Sequence, residues 1–258
     1  MTWRSATAMH ETSATAKRDV RLWWRDDDAG RTAPTLAPLL RLSRVGARPI
    51  GLAVVPAWLE EATIELIRGE PSAEVLQHGW AHANHAVAGE KTIELGGTAA
   101  TSACLDLLLA GGARLDAAFG AAFLPVLVPP WNRIADRVLE RLAEVGYIGL
   151  STFSNDCRGT AFGLVHINTH VDIIDWRGDR RMKPLDTLIA EVDRLLAQDG
   201  FTLIGILSHH LVMSIDDVAR LGQFFRALEA RHHCRWVAPR TMFDDSGRLF
   251  DEPADRRS

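Results

Sequence analysis

Gln77-His78-Gly79-Trp80-Ala81-His82-Ala83-Asn84-His85 is the stretch on which the reading turns. It holds three of the ten histidines of the chain within eight residues. A short apolar run, Glu74 to Gln77, leads into it and reads as a strand. His78 and His82 are four apart, so on one helical turn their imidazoles share a face and reach one divalent ion. Zinc is the usual occupant of such a pair. A polar, glycine-bearing loop with solvated histidines is the plain alternative, because a bare His-x3-His motif has many false positives. A second cluster favours the metal. Arg25-Asp26-Asp27-Asp28 closes another expected strand, and three adjacent carboxylates repel one another unless a cation sits among them. Two histidines and one carboxylate leave a coordination position open for water, the pattern of a catalytic zinc.

Working outward, apolar strand-like runs alternate with helical ones along most of the chain. Strands are expected at 20–25, 50–55, 74–77, 123–128, 147–152, 201–207 and 234–237, with short apolar runs at 164–167 and 171–174. Helices are expected at 37–45, 57–68, 98–120 with an interruption at Gly111-Gly112, 134–145, 184–198 and 215–231. About seven strands separated by helices argue for parallel βα units. In such folds the site lies at the C-terminal ends of the strands. The unusual polar clusters fall there: Asp26 to Asp28, His78 to His85, Pro129 to Asn132, Asp175-Trp176 and His209-His210. Residues 1–18 read as a leader, 19–243 as one catalytic domain and 244–258 as a polar tail.

The chain has 258 residues and a formal net charge of -4. That length suits a single α/β barrel, and the 47% apolar content supplies a sizeable core. There is no basic excess to suggest nucleic acid and no apolar run long enough for a membrane span. Met1 to Lys17 lacks a secretory apolar core, and Cys104, Cys157 and Cys234 are far apart. Free thiols in a cytoplasmic protein are expected.

In this order the clusters resemble the motifs of the polysaccharide deacetylase family, the NodB-homology group of metal-dependent amide and ester hydrolases. The resemblance runs from about Val20 to Val237. It rests on Asp27-Asp28, His78-x3-His82, Val128-Pro129-Pro130-Trp131, Asp172-Ile-Ile-Asp175-Trp176 and Ile206-Leu207-Ser208-His209. It implies a distorted (β/α)7 TIM-like barrel and one divalent metal, zinc first, with cobalt or manganese as alternatives. Asp28, His78 and His82 would be the ligands. Asp27 would be the general base, His209 the general acid and Asp175 its orienting partner. The backbone N–H of Trp131, after Pro130, would bind the oxyanion, and Trp176 would floor the acetyl pocket. The substrate would be a small N-acetylated carbohydrate or glycoconjugate.

One position departs from the pattern. The family has an arginine at the head of its third motif, paired with the base; here Val128 stands there, and Arg25 or Arg133 could supply the charge. Two further choices stay open: Asp26-Asp27 in place of Asp27-Asp28, and His210 in place of His209. His85 and Asn84 read as loop residues. Of Trp23 and Trp24, one is expected in the core and the other under a helix. A binding or regulatory homologue without turnover is the competing class, permitted by Val128. A phosphodiesterase is disfavoured by the scarcity of Lys and Arg beside the expected ligands.

Overall fold

The computed structural model describes residues 19–154, 159–198, 201 and 203–244. The expected leader, the expected tail beyond Asp244, and Cys157 lie outside the described residues. The elements in chain order are β1 (Asp19–Ala29), α1 (Leu36–Val45), β2 (Ile50–Val54), α2 (Glu61–Arg68), β3 (Ala73–Gln77), α3 (Thr101–Phe119), β4 (Phe123–Leu127), α4 (Asp136–Leu139), β5 (Gly149–Leu150), β6 (Gly159–Ala161), β7 (Leu164–His166), β8 (Val171–Asp172), α5 (Leu185–Leu196), β9 (Leu203–Ser208), α6 (Ile215–Arg231), β10 (His233–Trp236) and α7 (Pro239–Asp244).

Strand β1 shows how the sequence dictates the layers. Its side chains alternate across the sheet, and both faces are buried. Val20, Leu22 and Trp24 turn toward the helices; the Trp24 ring meets Phe225 of α6 edge-on at 5.0 Å. Trp23 turns the other way, among Ala53, Leu76 and Val126 in the curl of the sheet. Met242 and Phe243 of α7 join that inner cluster. The Arg240 backbone N–H binds Glu74 and its guanidinium binds the Ala121 carbonyl, which places α7 at the strand starts. The opposite rim is left for the site. Helix α6 opens on a capping box in which Ser214 and Asp217 satisfy each other's backbone N–H groups.

The strands run in the order β6-β7-β5-β4-β3-β2-β1-β9-β8, with β10 beside the start of β1. All pairings are parallel except β6 with β7. This curled parallel sheet is that of a distorted (β/α)7 barrel. Its hydrogen-bonded path through the described residues does not close.

The structure departs from the sequence pattern in three places. Helix α3 continues through Gly111-Gly112 without a break. Gly111 serves packing instead: a Cβ there would lie 2.3 Å from Gln77 Nε2. The expected helix over 134–145 is only one turn, α4, followed by a 3-10 turn at Leu142–Val145. Ile134 is bridged to Leu95 and Arg141 is non-helical, yet Val138 and Leu142 still point inward. The apolar spacing there reports burial, not helix. Strand β6 carries no clear apolar period and was not expected.

Gly205 sits in β9 where neighbouring groups crowd its backbone. A Cβ there would lie 2.4 Å from Trp23 Nε1 and 2.7 Å from Thr169 Cα. Overpacking of this kind costs about 1–3 kcal/mol. Gly205→Ala should lower the unfolding free energy by that amount, moving the urea midpoint down with an unchanged slope; an unchanged midpoint would show the contact to be soft.

Candidate active site

The C-terminal end of β1 has to place three consecutive acids. The β1–β2 register shifts between Asp26 and Ala29, and Asp28 has φ +70°, so the alternation breaks there. Each acid then faces a different partner. Asp26 points to the helix side, where it accepts from Ser208 Oγ at 2.6 Å and from the His210 backbone N–H at 3.1 Å, and it pairs with His210 Nδ1. Burial opposes charge on His210, but the Asp26 charge and hydrogen bond raise its pKa above the usual imidazole value. Asp27 points into the curl with Arg25, two residues earlier on the same face. Nε reaches Oδ1 at 2.8 Å and Nη2 reaches Oδ2 at 3.0 Å, a bidentate fork. Asp28 swings to the rim, where its Oδ1 lies 3.3 Å from Nε2 of both His78 and His82.

These three side chains are the one group among the described residues that could hold a metal ion; one ligand atom from each lies within 4.8 Å of the others. Asp28 Oδ1 is buried without a hydrogen-bond partner, as a coordinating oxygen would be. His78 Nδ1 is 2.8 Å from the Val128 carbonyl, so it carries the proton and leaves Nε2 free as a ligand. The donor set suits a divalent ion of the zinc kind. Burial pushes the Asp28 carboxyl up, but the neighbouring His78, His209 and His82 outweigh it and hold it well below the usual carboxylate range. Burial opposes charge on His78, yet Asp28 and Asp27 raise it; burial and the His78 charge lower His82.

The expectation that His78 and His82 share a helical turn is corrected. They lie on an irregular loop after β3, with Gly79 at φ +57° and His82 at φ +58°. Side chains from within and beyond the loop hold it. Gln77 binds the Gly79 carbonyl at 3.0 Å and is itself held by the Tyr147 hydroxyl at 2.6 Å. Glu94, 1% exposed, accepts from the backbone N–H groups of Trp80 (3.1 Å), Ala81 (2.8 Å) and Ala83 (3.2 Å). A side chain at residue 79 would put Cβ 1.9 Å from Glu94 Oε2, so glycine is required there. Glu94 carries no motif spacing, so nothing in the sequence marks it. His85 supports the same loop, its Nδ1 being 2.7 Å from the Glu94 carbonyl.

His209 and His210 follow β9 and turn to opposite sides. His210 is fully buried with Asp26, whereas His209 faces the rim, its Nε2 4.0 Å from Asp27 Oδ2. Asp172, not the expected Asp175, is beside His209, at 3.9 Å from Nδ1. Asp172 also accepts from Trp176 Nε1 at 2.7 Å, and burial raises its carboxyl. Asp175 is exposed and accepts the backbone N–H groups of Arg177 and Gly178, which organises its own turn. The Trp176 ring meets His209 edge-on at 4.8 Å. Pro130 is buried, and Trp131 follows it in a left-handed conformation (φ +54°, ψ +18°), strained for a bulky residue. That turn lays the Trp131 ring 4.3 Å from His82. It also lets Asn132 Oδ1 accept from Arg25 Nη2 at 3.1 Å. Arg133 turns away to Thr92, so the charge facing Asp27 comes from Arg25. Trp58, absent from the expected site, lies 5.6 Å from His82.

Two substitutions test this framework. Removing one partner of a buried ion pair costs about 3–5 kcal/mol, so Arg25→Gln should lose that much in urea unfolding. Glu94→Gln places an amide N–H against one of the three loop donors. Hydrogen exchange at Trp80, Ala81 and Ala83 should then speed up while the sheet stays protected; equal acceleration everywhere would make Glu94 a general stabiliser instead.

No protein-family model and no curated protein sequence matches the chain. Solved structures do. A protein from Mycobacterium smegmatis described as a polysaccharide deacetylase aligns at TM-score 0.67 and 16% identity, over 93% of this chain and 94% of its own. A peptidoglycan N-acetylglucosamine deacetylase aligns at TM-score 0.60 and 16% identity, over 87% and 88%. A family 4 acetyl xylan esterase from Clostridium thermocellum, solved with a cobalt ion, aligns at TM-score 0.60 and 16% identity, over 88% and 92%. With the curled parallel sheet and the polar rim already in view, this likeness identifies the fold of the chain as that of the polysaccharide deacetylases.

Proposed function

We propose that the chain is a metal-dependent hydrolase that removes an acetyl group from an N-acetylated sugar or glycoconjugate, working in the cytoplasm. The observation that carries this reading is the meeting of two sets at one rim: Asp28, His78 and His82 within 4.8 Å, and Asp27 beside them with His209 at 4.0 Å. Asp28, His78 and His82 would hold the ion. A divalent cation held there, zinc before cobalt or manganese, would supply an acidified water and polarise the acyl carbonyl.

The chain's own groups do the rest. Asp27, oriented through both oxygens by Arg25, takes a proton from the attacking water. His209 Nε2 delivers a proton to the departing amine, and Asp172 at Nδ1 positions the ring. The Trp131 backbone N–H donates to the oxyanion. Pro130 and Trp176 shape the acetyl pocket. The neighbours described as deacetylating peptidoglycan N-acetylglucosamine and acetyl xylan support an acylated carbohydrate as substrate. Another neighbour is a CE4-family pseudoenzyme from Bacillus anthracis, so the fold alone does not guarantee turnover.

Acetate release from N-acetylated sugars with added zinc, cobalt or manganese tests the reading. Activity should vanish on chelation and return with metal. His82→Ala should lose metal and activity together. Asp27→Asn should keep the metal and lose about 10²–10⁴-fold in kcat. Metal bound without acetate from any substrate would leave a binding homologue.

A further inference from the structure

The rim carries arginines that the proposed chemistry does not use. Arg31 lies three residues beyond Asp28, just past the end of β1. Its guanidinium carbon stacks 3.9 Å from the centre of the Trp58 ring, and Trp58 in turn lies 5.6 Å from the His82 ring. On the other flank, Arg180 lies 5.2 Å from the Trp176 ring, which is 4.8 Å from His209. Trp58 follows β2 and Trp176 follows β8, and these strands lie on opposite sides of β1 in the sheet. One indole therefore separates each functional imidazole from an arginine, once on each side of the cleft.

Both arginines are exposed, and neither side chain forms an ion pair with a carboxylate among the described residues. Glu60 makes no ion pair with Arg31; its Oε2 accepts both the hydroxyl (2.6 Å) and the backbone N–H (2.9 Å) of Thr32, and those bonds, helped by the Arg31 charge, hold its carboxyl down. Asp179 and Asp175 are taken up by backbone N–H groups of their own loop. Residues 176–181 read Trp-Arg-Gly-Asp-Arg-Arg, three arginines to one acid, in a chain whose net charge is -4. Stacking occupies the face of a guanidinium and leaves its in-plane N–H donors open, a fork that fits carboxylate or phosphate. An exposed cation–π contact contributes about 0.5–1 kcal/mol, enough to bias the side chain without neutralising it.

We propose that the substrate is an anion: an acetamide-bearing sugar or amine with a carboxylate or phosphate that Arg31 grips at the Trp58 wall, with Arg180 adding positive field from the Trp176 wall. This rests on the deacetylase reading and goes beyond it by naming the charge of the substrate. The shared chemistry is an oxyanion on the same small molecule as the acetamide; which oxyanion it is falls to the probes.

The test measures kcat/KM for acetate release by the metal-loaded protein from N-acetylglucosamine, N-acetylglucosamine 1-phosphate and N-acetylmuramic acid, at low and moderate salt. At least one charged sugar should exceed the neutral one by about tenfold, the scale of one charge-assisted hydrogen bond, and the ratio should shrink with salt. Arg31→Gln should bring that ratio close to one, and Arg180→Gln should reduce it less. Equal use of neutral and charged sugars, or a ratio that survives Arg31→Gln, overturns the proposal. If no sugar yields acetate, the deacetylase reading fails separately, and calorimetry on the same proteins decides the subsite. Tighter binding of the 1-phosphate or the muramic acid than of the neutral sugar, lost in Arg31→Gln, supports it; indifference to charge overturns it.

Discussion

Three carboxylates in a row at the end of one strand are the constraint around which this site is built. Left together they would repel, and a buried unpaired charge is costly. The chain resolves the conflict by geometry. A bulge and one left-handed residue send Asp26, Asp27 and Asp28 in three directions, each toward its own counter-group: His210 beneath the sheet, Arg25 in the curl, and the histidine pair at the rim. The adjacency that makes the stretch conspicuous in the sequence is therefore undone in space. Only Asp28 is left without a fixed donor on one oxygen, and it is the acid that faces both imidazoles.

The imidazoles depend on support from far along the chain. A helix would have set the His78–His82 spacing by its own pitch. The loop that replaces it has no such internal ruler, so its shape comes from the Val128 carbonyl, from Gln77 through Tyr147, and from Glu94 through three backbone N–H groups. The two glycines beside these contacts, Gly79 and Gly111, are where a side chain would collide with Glu94 and Gln77.

Much of this was legible in the residues. Alternating apolar periods gave the parallel βα order, since both faces of β1 had to be buried. The clusters at strand ends pointed to one rim, where Asp27, Asp28, His78, His82 and His209 do meet. What was not legible has physical reasons. His-x3-His fits a helix and a loop equally well, and only the positive φ values at Gly79 and His82 decide between them. The choice of Asp172 over Asp175 beside His209 depends on how a three-residue turn winds, which spacing does not encode. Glu94 acts through main-chain amides, so no partner side chain marks it. The region 134–145 misled because burial of Val138 and Leu142 needs an apolar period and not a full helix.

Arg25 shares a strand and a face with the acid it holds. Acid and counter-charge are thus fixed by two residues of one backbone segment, and the turn after β4 is released from that duty. Val128 can then be an ordinary buried aliphatic residue. A motif search keyed to an arginine before the proline-aromatic corner would pass over any chain arranged in this manner, while one keyed to Arg-x-Asp-Asp closing the first strand would retrieve it.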